Sequence, residues 1–197
     1  YNTALGYAAL SSETEHGYNT AVGHQTLATL TAGAHAYNVA VGHQAGVSMT
    51  TGIKNTIIGG LAGDALTTGT NNVAIGYEAL SSEDGHGKNV AIGYAALNVL
   101  NAGTDAYNVV IGAYAGELMS TGVQNTIVGG VAGDALTTGS YNTVFGKAAL
   151  STEQAGSYNT AIGYQALLAQ SGAGDAYNVA VGHNAGVVVT TGVTNVL

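Results

Sequence analysis

The sequence predicts an all-β protein, a parallel β-solenoid built from coils of about 17 residues, and two periodicities and one compositional fact carry that expectation. A six-residue motif returns along the whole chain at nearly constant spacing. A second alternation, four residues after the last motif position, keeps step with it. The composition also departs from that of an ordinary globular domain: 31 of 197 residues are Gly, none is Pro or Cys, and only 7% are charged against roughly a quarter in typical soluble proteins.

The motif is an aromatic or polar residue, then Asn, Thr or Val, a small or branched apolar residue, a large apolar residue and Gly. It reads YNTALG at 1–6, YNTAVG at 18–23, YNVAVG at 37–42 and KNTIIG at 54–59, and it recurs to the end of the chain. Its Asn residues are Asn2, Asn19, Asn38, Asn55, Asn72, Asn89, Asn108, Asn125, Asn142, Asn159, Asn178 and Asn195. Their spacings run 17, 19, 17, 17 and start again, which divides one array over 1–197 into super-repeats 1–70, 71–140 and an incomplete 141–197. The two extra residues of each second coil fall in AGAHA, AGTDA and AGAGDA. Four residues after the motif Gly stand Leu10 and Leu27, then Gly46 and Gly63, and the same order returns at Leu80, Leu97, Gly116 and Gly133. Repetition on this scale is the mark of stacked units that bury a core only together.

Asn-Thr-Ala-Ile-Gly reads as a short strand closed by a residue suited to a bend. The large residue before the Gly (Leu5, Val22, Val41, Ile58, Ile75, Ile92 and onward) is expected to be the buried column. The neighbouring Ala column (Ala4, Ala21, Ala40, Ala74, Ala91) is expected on the opposite face, open to a second layer or chain, or packed within a thin solenoid. The Asn column is expected to form a ladder of side-chain amides bonded to the amides above and below. After the Gly, segments such as YQALLAQSGAGDA suit a second strand or a short helical turn, and the TTG and STG tails favour the strand.

Composition excludes several function classes. A formal charge of −8 with three Lys and no Arg leaves no basic patch for nucleic acid. No apolar run approaches the ~20 residues of a membrane span, so this segment is not expected to insert. The chain opens at Tyr1, without Met, at the start of a repeat unit and stops at Leu197 partway through another, as a segment of a longer array would.

No catalytic residue, cofactor or metal centre is expected. His24, His43 and His183 share a column with Tyr7, Tyr77, Tyr94, Tyr164 and Lys147, an interchange that fixed metal ligands do not tolerate. His16, His35 and His86 fall with Glu13, Glu15, Glu83 and Asp84 in segments read as solvated loops. GGLAGDAL and GGVAGDAL are similar to calcium-binding nonapeptides, but their third Gly is one place late and Asp64 and Asp134 stand isolated. The row Tyr1, Tyr18, Tyr37, Tyr107, Tyr141, Tyr158 and Tyr177, each just before the ladder Asn, offers rings for sugar faces or another fibre, or for stacking on one another.

The unit N-[TV]-[AIV]-[ILVF]-G with Ala three residues on, held in register along the chain, resembles the head repeats of YadA-like trimeric autotransporter adhesins and similar repeats in bacteriophage tail fibres. That resemblance implies a β-roll, a homotrimer, and display outside the cell on a cell surface or virion. The coils here are longer than the roughly fourteen-residue units of such heads, and neither neck nor stalk is present in this segment. The expected function is a structural or adhesive fibre module, a rigid spacer with a possible surface for a host glycan or protein receptor. The alternative is a subunit of a self-assembling filament or sheath. Ice or polysaccharide binding ranks below both, since Thr alternates with Val at Thr3, Thr20, Val39, Thr56, Val73 and Val90 and gives no clean Thr array. An enzyme ranks last.

Overall fold

A computed structural model describes residues 1–14, 17–172 and 174–197. Each coil contributes one three-residue strand: β1 (Thr3–Leu5), β2 (Thr20–Val22), β3 (Val39–Val41), β4 (Thr56–Ile58), β5 (Val73–Ile75), β6 (Val90–Ile92), β7 (Val109–Ile111), β8 (Thr126–Val128), β9 (Thr143–Phe145), β10 (Thr160–Ile162) and β11 (Val179–Val181). They form a single 11-stranded sheet in sequence order, every pair parallel. The chain is therefore a β-solenoid whose coils pair motif on motif. Thr3 lies opposite Thr20 and Thr56 opposite Val73 across coils of the shorter length, and Thr20 lies opposite Val39 across the longer one. The two extra residues leave this register untouched because they go outward. Gly33 and Gly103, at φ +67° and +68°, sit in loops where an added Cβ would meet nothing within 4 Å.

The expected second strand is absent among the described residues, and so is any helix. After each motif Gly, itself at φ +131° to +143°, the residues two and four places on are left-handed, as at Gln25 (54°) and Leu27 (49°). Such alternation curls the chain into a turn, where a strand needs extended residues. The arm still bonds to both neighbours: Gln25 N–H donates to Tyr7 O at 2.8 Å and Leu27 N–H to Ala45 O at 3.1 Å. A non-Gly residue held left-handed costs about 1 kcal/mol. Those two bonds and the burial of the Leu27 side chain offset the cost.

The two sheet faces are the reverse of the expectation. Ala21, Ala40, Ile57, Ala74, Ala91, Val110, Ile127, Val144, Ala161 and Ala180, the middle residues of β2 to β11, point inward and are fully buried, while Ala4 in the end strand β1 is exposed. The large residues before the Gly lie outward: Ile58, Ile111 and Ile162 are 36–37% exposed and Phe145 59%. Space explains the reversal. The interior is filled from the opposite wall by Leu27, Leu30, Met49, Leu66, Leu80, Leu97 and Leu100, and a strand facing those side chains has room for little more than Ala. Where the turn arm carries Gly, the strand can grow. A Cβ at Gly63 would sit 3.5 Å from Ile57 Cδ1 and 2.8 Å from Leu66 Cδ1, so the Gly vacates volume that those side chains occupy. The Leu/Gly alternation of the sequence is thus core volume passed between the two walls.

The Asn residues form an inward ladder of a different kind from the one expected. Each backbone N–H from Asn19 to Asn195 donates to the Oδ1 of the Asn one coil earlier, at 2.9–3.2 Å. The Nδ2 mostly turns to a backbone carbonyl of the following turn, as from Asn38 to Gly52 (2.9 Å) and from Asn125 to Gly139 (2.9 Å). Direct amide-to-amide bonds accompany it at some coils, as from Asn142 to Asn125 at 3.1 Å. At most coils both ends of the side chain serve main-chain groups, Asn159 Nδ2 being buried without a partner, and no other residue type fills the column.

The motif Gly stands where successive coils touch most closely. A Cβ at Gly93 would collide with Gly112 O, with Gly112 C at 2.5 Å, and the residue lies at φ +137°. Gly93→Ala is expected to break the stacking of β6 on β7, whereas Gly103→Ala in the open loop costs about 1 kcal/mol from its left-handed backbone alone. Urea unfolding of the two variants separates them. Asn125→Ala orphans Asn142 N–H and Gly139 O at about 1–3 kcal/mol each. Hydrogen exchange is expected to show lost protection at the Asn142 amide and little change at distant coils, since repeats couple mainly to their neighbours.

Candidate functional site

Three arrangements stand out on this scaffold. The first is the outer sheet face, where Thr or Val from the first strand position and Leu, Val, Ile or Phe from the third run in two parallel columns. Strand alternation puts both on one side, and parallel pairing stacks like on like at the ~4.8 Å strand spacing. Val39, Ile58, Val109, Ile111, Phe145, Ile162, Val179 and Val181 all remain more than a third exposed along it.

The second is a pair of aromatic columns. Tyr1, Tyr18 and Tyr37 stack with centroids 4.9–5.0 Å apart, as do Tyr141, Tyr158 and Tyr177 at 4.9 Å and 1–7°. The ring faces cover one another, and the exposed parts are edges and hydroxyls. Flat-on sugar docking along these rows would therefore have to break the stack. Tyr107 stands apart from both groups, with Lys88 Nζ 4.8 Å above its ring, 2.7 Å from its hydroxyl and 2.7 Å from Asp105 Oδ2. Lys88 holds the Asp105 carboxyl below its usual range, and Asp105 and Tyr107 raise the Lys88 ammonium. Beyond the Gly, Tyr7, His24 and His43 form a further stack at 5.1–5.3 Å, and Tyr164 stacks on His183 at 5.2 Å.

The third is a column of carboxylates that the solvated-loop reading missed. Seven residues after the motif Gly, where other coils bury Leu30, Met49, Leu66, Leu100, Met119 and Leu136, stand Glu13, Glu83 and Glu153. Glu83 and Glu153 are fully buried. Glu153 Oε1 accepts three backbone N–H bonds, from Gln154 (3.0 Å), Ala155 (3.1 Å) and Gly156 (2.8 Å). Gly156 is what permits this, because a Cβ there would lie 2.6 Å from Glu153 Cδ. In the second super-repeat His86 occupies that place, and the carboxylate is held differently: Glu83 Oε1 accepts from His86 N–H at 3.1 Å and Oε2 from Ala102 N–H at 3.4 Å. His86 Nδ1 approaches Glu83 Oε1 at 3.4 Å without hydrogen-bond alignment and is buried with no bonded partner. Glu83, Asp84 and His86 thereby bring one donor atom each to within 4.8 Å of one another. The sequence does carry a signal for the column, since Glu13, Glu83 and Glu153 recur once in every super-repeat, at the same place. Glu15 and His16, the matching positions of the first copy, lie outside the described residues.

Asp64 and Asp134 likewise occupy matching places in the first and second super-repeats, each with a buried Oδ1 lacking a hydrogen-bond partner. Burial pushes both carboxyls up from the usual aspartate value, Glu78 adding to the rise at Asp64 and Glu117 at Asp134, against backbone N–H bonds that lower it. Compared with protein-family models, curated proteins and solved structures, the chain finds no match. Among the described residues no helix is long and apolar enough to cross a membrane.

A raised Asp pKa in the folded chain means that the native state holds its proton more tightly than the unfolded one. Stability from these two groups is therefore gained as pH falls through their folded values and lost above them. Asp64→Asn is expected to raise the melting temperature at neutral pH and to flatten its dependence on pH between the ordinary aspartate range and neutrality. Melting curves across that window check it, and an unchanged pH slope would refute the assignment.

Proposed function

We propose that the chain is a rigid, self-associating module of an extracellular fibre, in which copies pack through the outer face of the sheet. The observation that carries this is the double column of Thr/Val and Val/Ile/Phe along that face. The third-position column is apolar at every coil and the first alternates Thr with Val, and exposed apolar strips of this kind mark contact surfaces. Eleven coils at ~4.8 Å make a strip about 50 Å long, and at a width of roughly 12 Å its area is about 600 Å². That is close to the ~800 Å² per partner of a standard stable interface.

The occupant with the same length and repeat is another copy of this chain. With three Lys and no Arg, the rod offers little positive charge to steer an acidic partner. The resemblance to trimeric adhesin heads and tail-fibre repeats supports a reading with three copies displayed on a cell surface or virion. In that setting it acts as a spacer, with the hydroxyl edges of the Tyr rows available to a glycan or protein receptor through many weak contacts. The same face could instead join copies into a filament or sheath. No nucleic acid partner and no catalysis enter this reading.

Light scattering over a range of concentrations is expected to give a constant mass of three chains. Ile92→Lys together with Val128→Lys, outward changes at the middle of the strip, are expected to reduce it to one chain while the strand circular dichroism persists. A mass that climbs with concentration selects the filament. A single-chain mass for the unsubstituted protein overturns self-association altogether.

A further inference from the structure

We propose that the turn at Glu83, Asp84 and His86 is a binding site for a first-row divalent cation, zinc being the type that its mixed nitrogen and oxygen donors suit. The donors are a fully buried carboxylate, an exposed carboxylate and an imidazole whose Nδ1 is buried and bonded to nothing. Two ligands of one tetrahedral zinc, each about 2.0–2.2 Å from the metal, lie about 3.3 Å apart. His86 Nδ1 and Glu83 Oε1 are separated by 3.4 Å without hydrogen-bond alignment, so Nδ1 is unpartnered and Oε1 keeps a second electron pair beside the one that accepts from His86 N–H. Asp84 closes the set on the solvent side, where water completes the coordination.

The turn is held in place from the preceding coil. Asp84 O accepts from Thr67 N–H at 2.6 Å and from the Thr67 hydroxyl at 2.7 Å, and His86 O accepts from Asn72 Nδ2 at 3.1 Å. Charge argues the same way. A buried carboxylate wants a compensating cation, and an imidazole supplies one only when protonated.

The array contains its own control. The equivalent segments read Glu13-Thr14-Glu15-His16, Glu83-Asp84-Gly85-His86 and Glu153-Gln154-Ala155-Gly156. The first two pair the buried-column Glu with a second acid and a His. The third carries neither, and there Glu153 Oε1 accepts three backbone N–H bonds while Oε2 is buried without a partner. The coil therefore folds without the acid and the His, and their joint presence answers to something other than folding.

This supplies a substitution set that the fold already tolerates. Asp84→Gln, Gly85→Ala and His86→Gly rewrite the second segment as the third. Chelator-stripped protein is titrated with zinc alone, and bound metal is counted after desalting, with cobalt(II) absorption reporting nitrogen coordination. The expected result is that the triple variant loses one metal equivalent or binds it at least tenfold more weakly. His86→Gln, which keeps its Cβ, is expected to show the same loss, and His43→Ala in the stacked column none. Retention of no zinc by the unsubstituted chain, or equal uptake by it and both segment variants, overturns the site and leaves adventitious surface binding. Neither outcome bears on the oligomeric state.

Discussion

The rest of the structure depends on one buried amide per coil. The Asn side chain takes the main-chain N–H of the next Asn and, at most coils, gives its own N–H to a carbonyl of the following turn, so it ties three successive pieces of backbone. Those main-chain groups lie inside the rod, away from water, where leaving any of them unbonded is costly. An acid would lack the donor and an apolar residue would lack both functions. Because the amide fixes only the start of each strand, the chain between one Asn and the next can vary in length. That freedom explains how the shorter and the longer coils share a single register. It also explains why sequence variety gathers in the outward loops.

Much of this was legible in the sequence, and the parts that were not share a cause. The period, the strand position, the parallel order and the four-coil super-repeat follow from Asn and Gly alone, since each answers to a local backbone requirement. Which sheet face is inside does not. Alternation assigns residues to two faces and leaves open which one is buried. Choosing the face with larger side chains fails here because the interior is filled from the opposite wall, by Leu27, Met49, Leu66 and their equivalents. Ala21 is inside because Leu27 is also inside. That relation crosses the coil, and reading along a strand does not reveal it. The absent second strand has a related origin: Ala, Gln and Leu say little about left-handed backbone, and only the stacking of arm on arm makes that conformation worthwhile at Ala8, Gln25 and Leu27.

Turning the sheet over changes what the surface can do. With Ala outward the rod would present a smooth, shallow face. With Val, Ile and Phe outward it presents ridges at the strand spacing, a surface that another such rod matches in pitch along its whole length. The aromatic columns obey the same geometry. Parallel register forces Tyr onto Tyr at 4.9 Å, so stacking consumes the ring faces and leaves hydroxyls outward. Periodicity thus converts side chains that would be recognition groups in isolation into cohesion along the rod.

The two periods accordingly carry different kinds of information. Features that recur every coil, the Asn, the Gly, the inward Ala and the outward aliphatic residue, answer to packing between neighbours. Among features that recur every fourth coil, the Leu/Gly alternation also answers to packing, whereas the carboxylates have no such role, because adjacent coils do without them. Glu83, with Asp84 and His86 beside it, and Asp64 and Asp134, whose carboxyls burial pushes up, belong to this second class. A carboxylate is costly to bury, and a chain that places Leu at the same turn position in other coils, as at Leu30 and Leu100, keeps Glu there at intervals of about 19 Å, four strand spacings. On a rod this uniform, chemistry that distinguishes one position from another resides in residues that do not recur at every coil, such as these and the Lys88–Asp105–Tyr107 cluster.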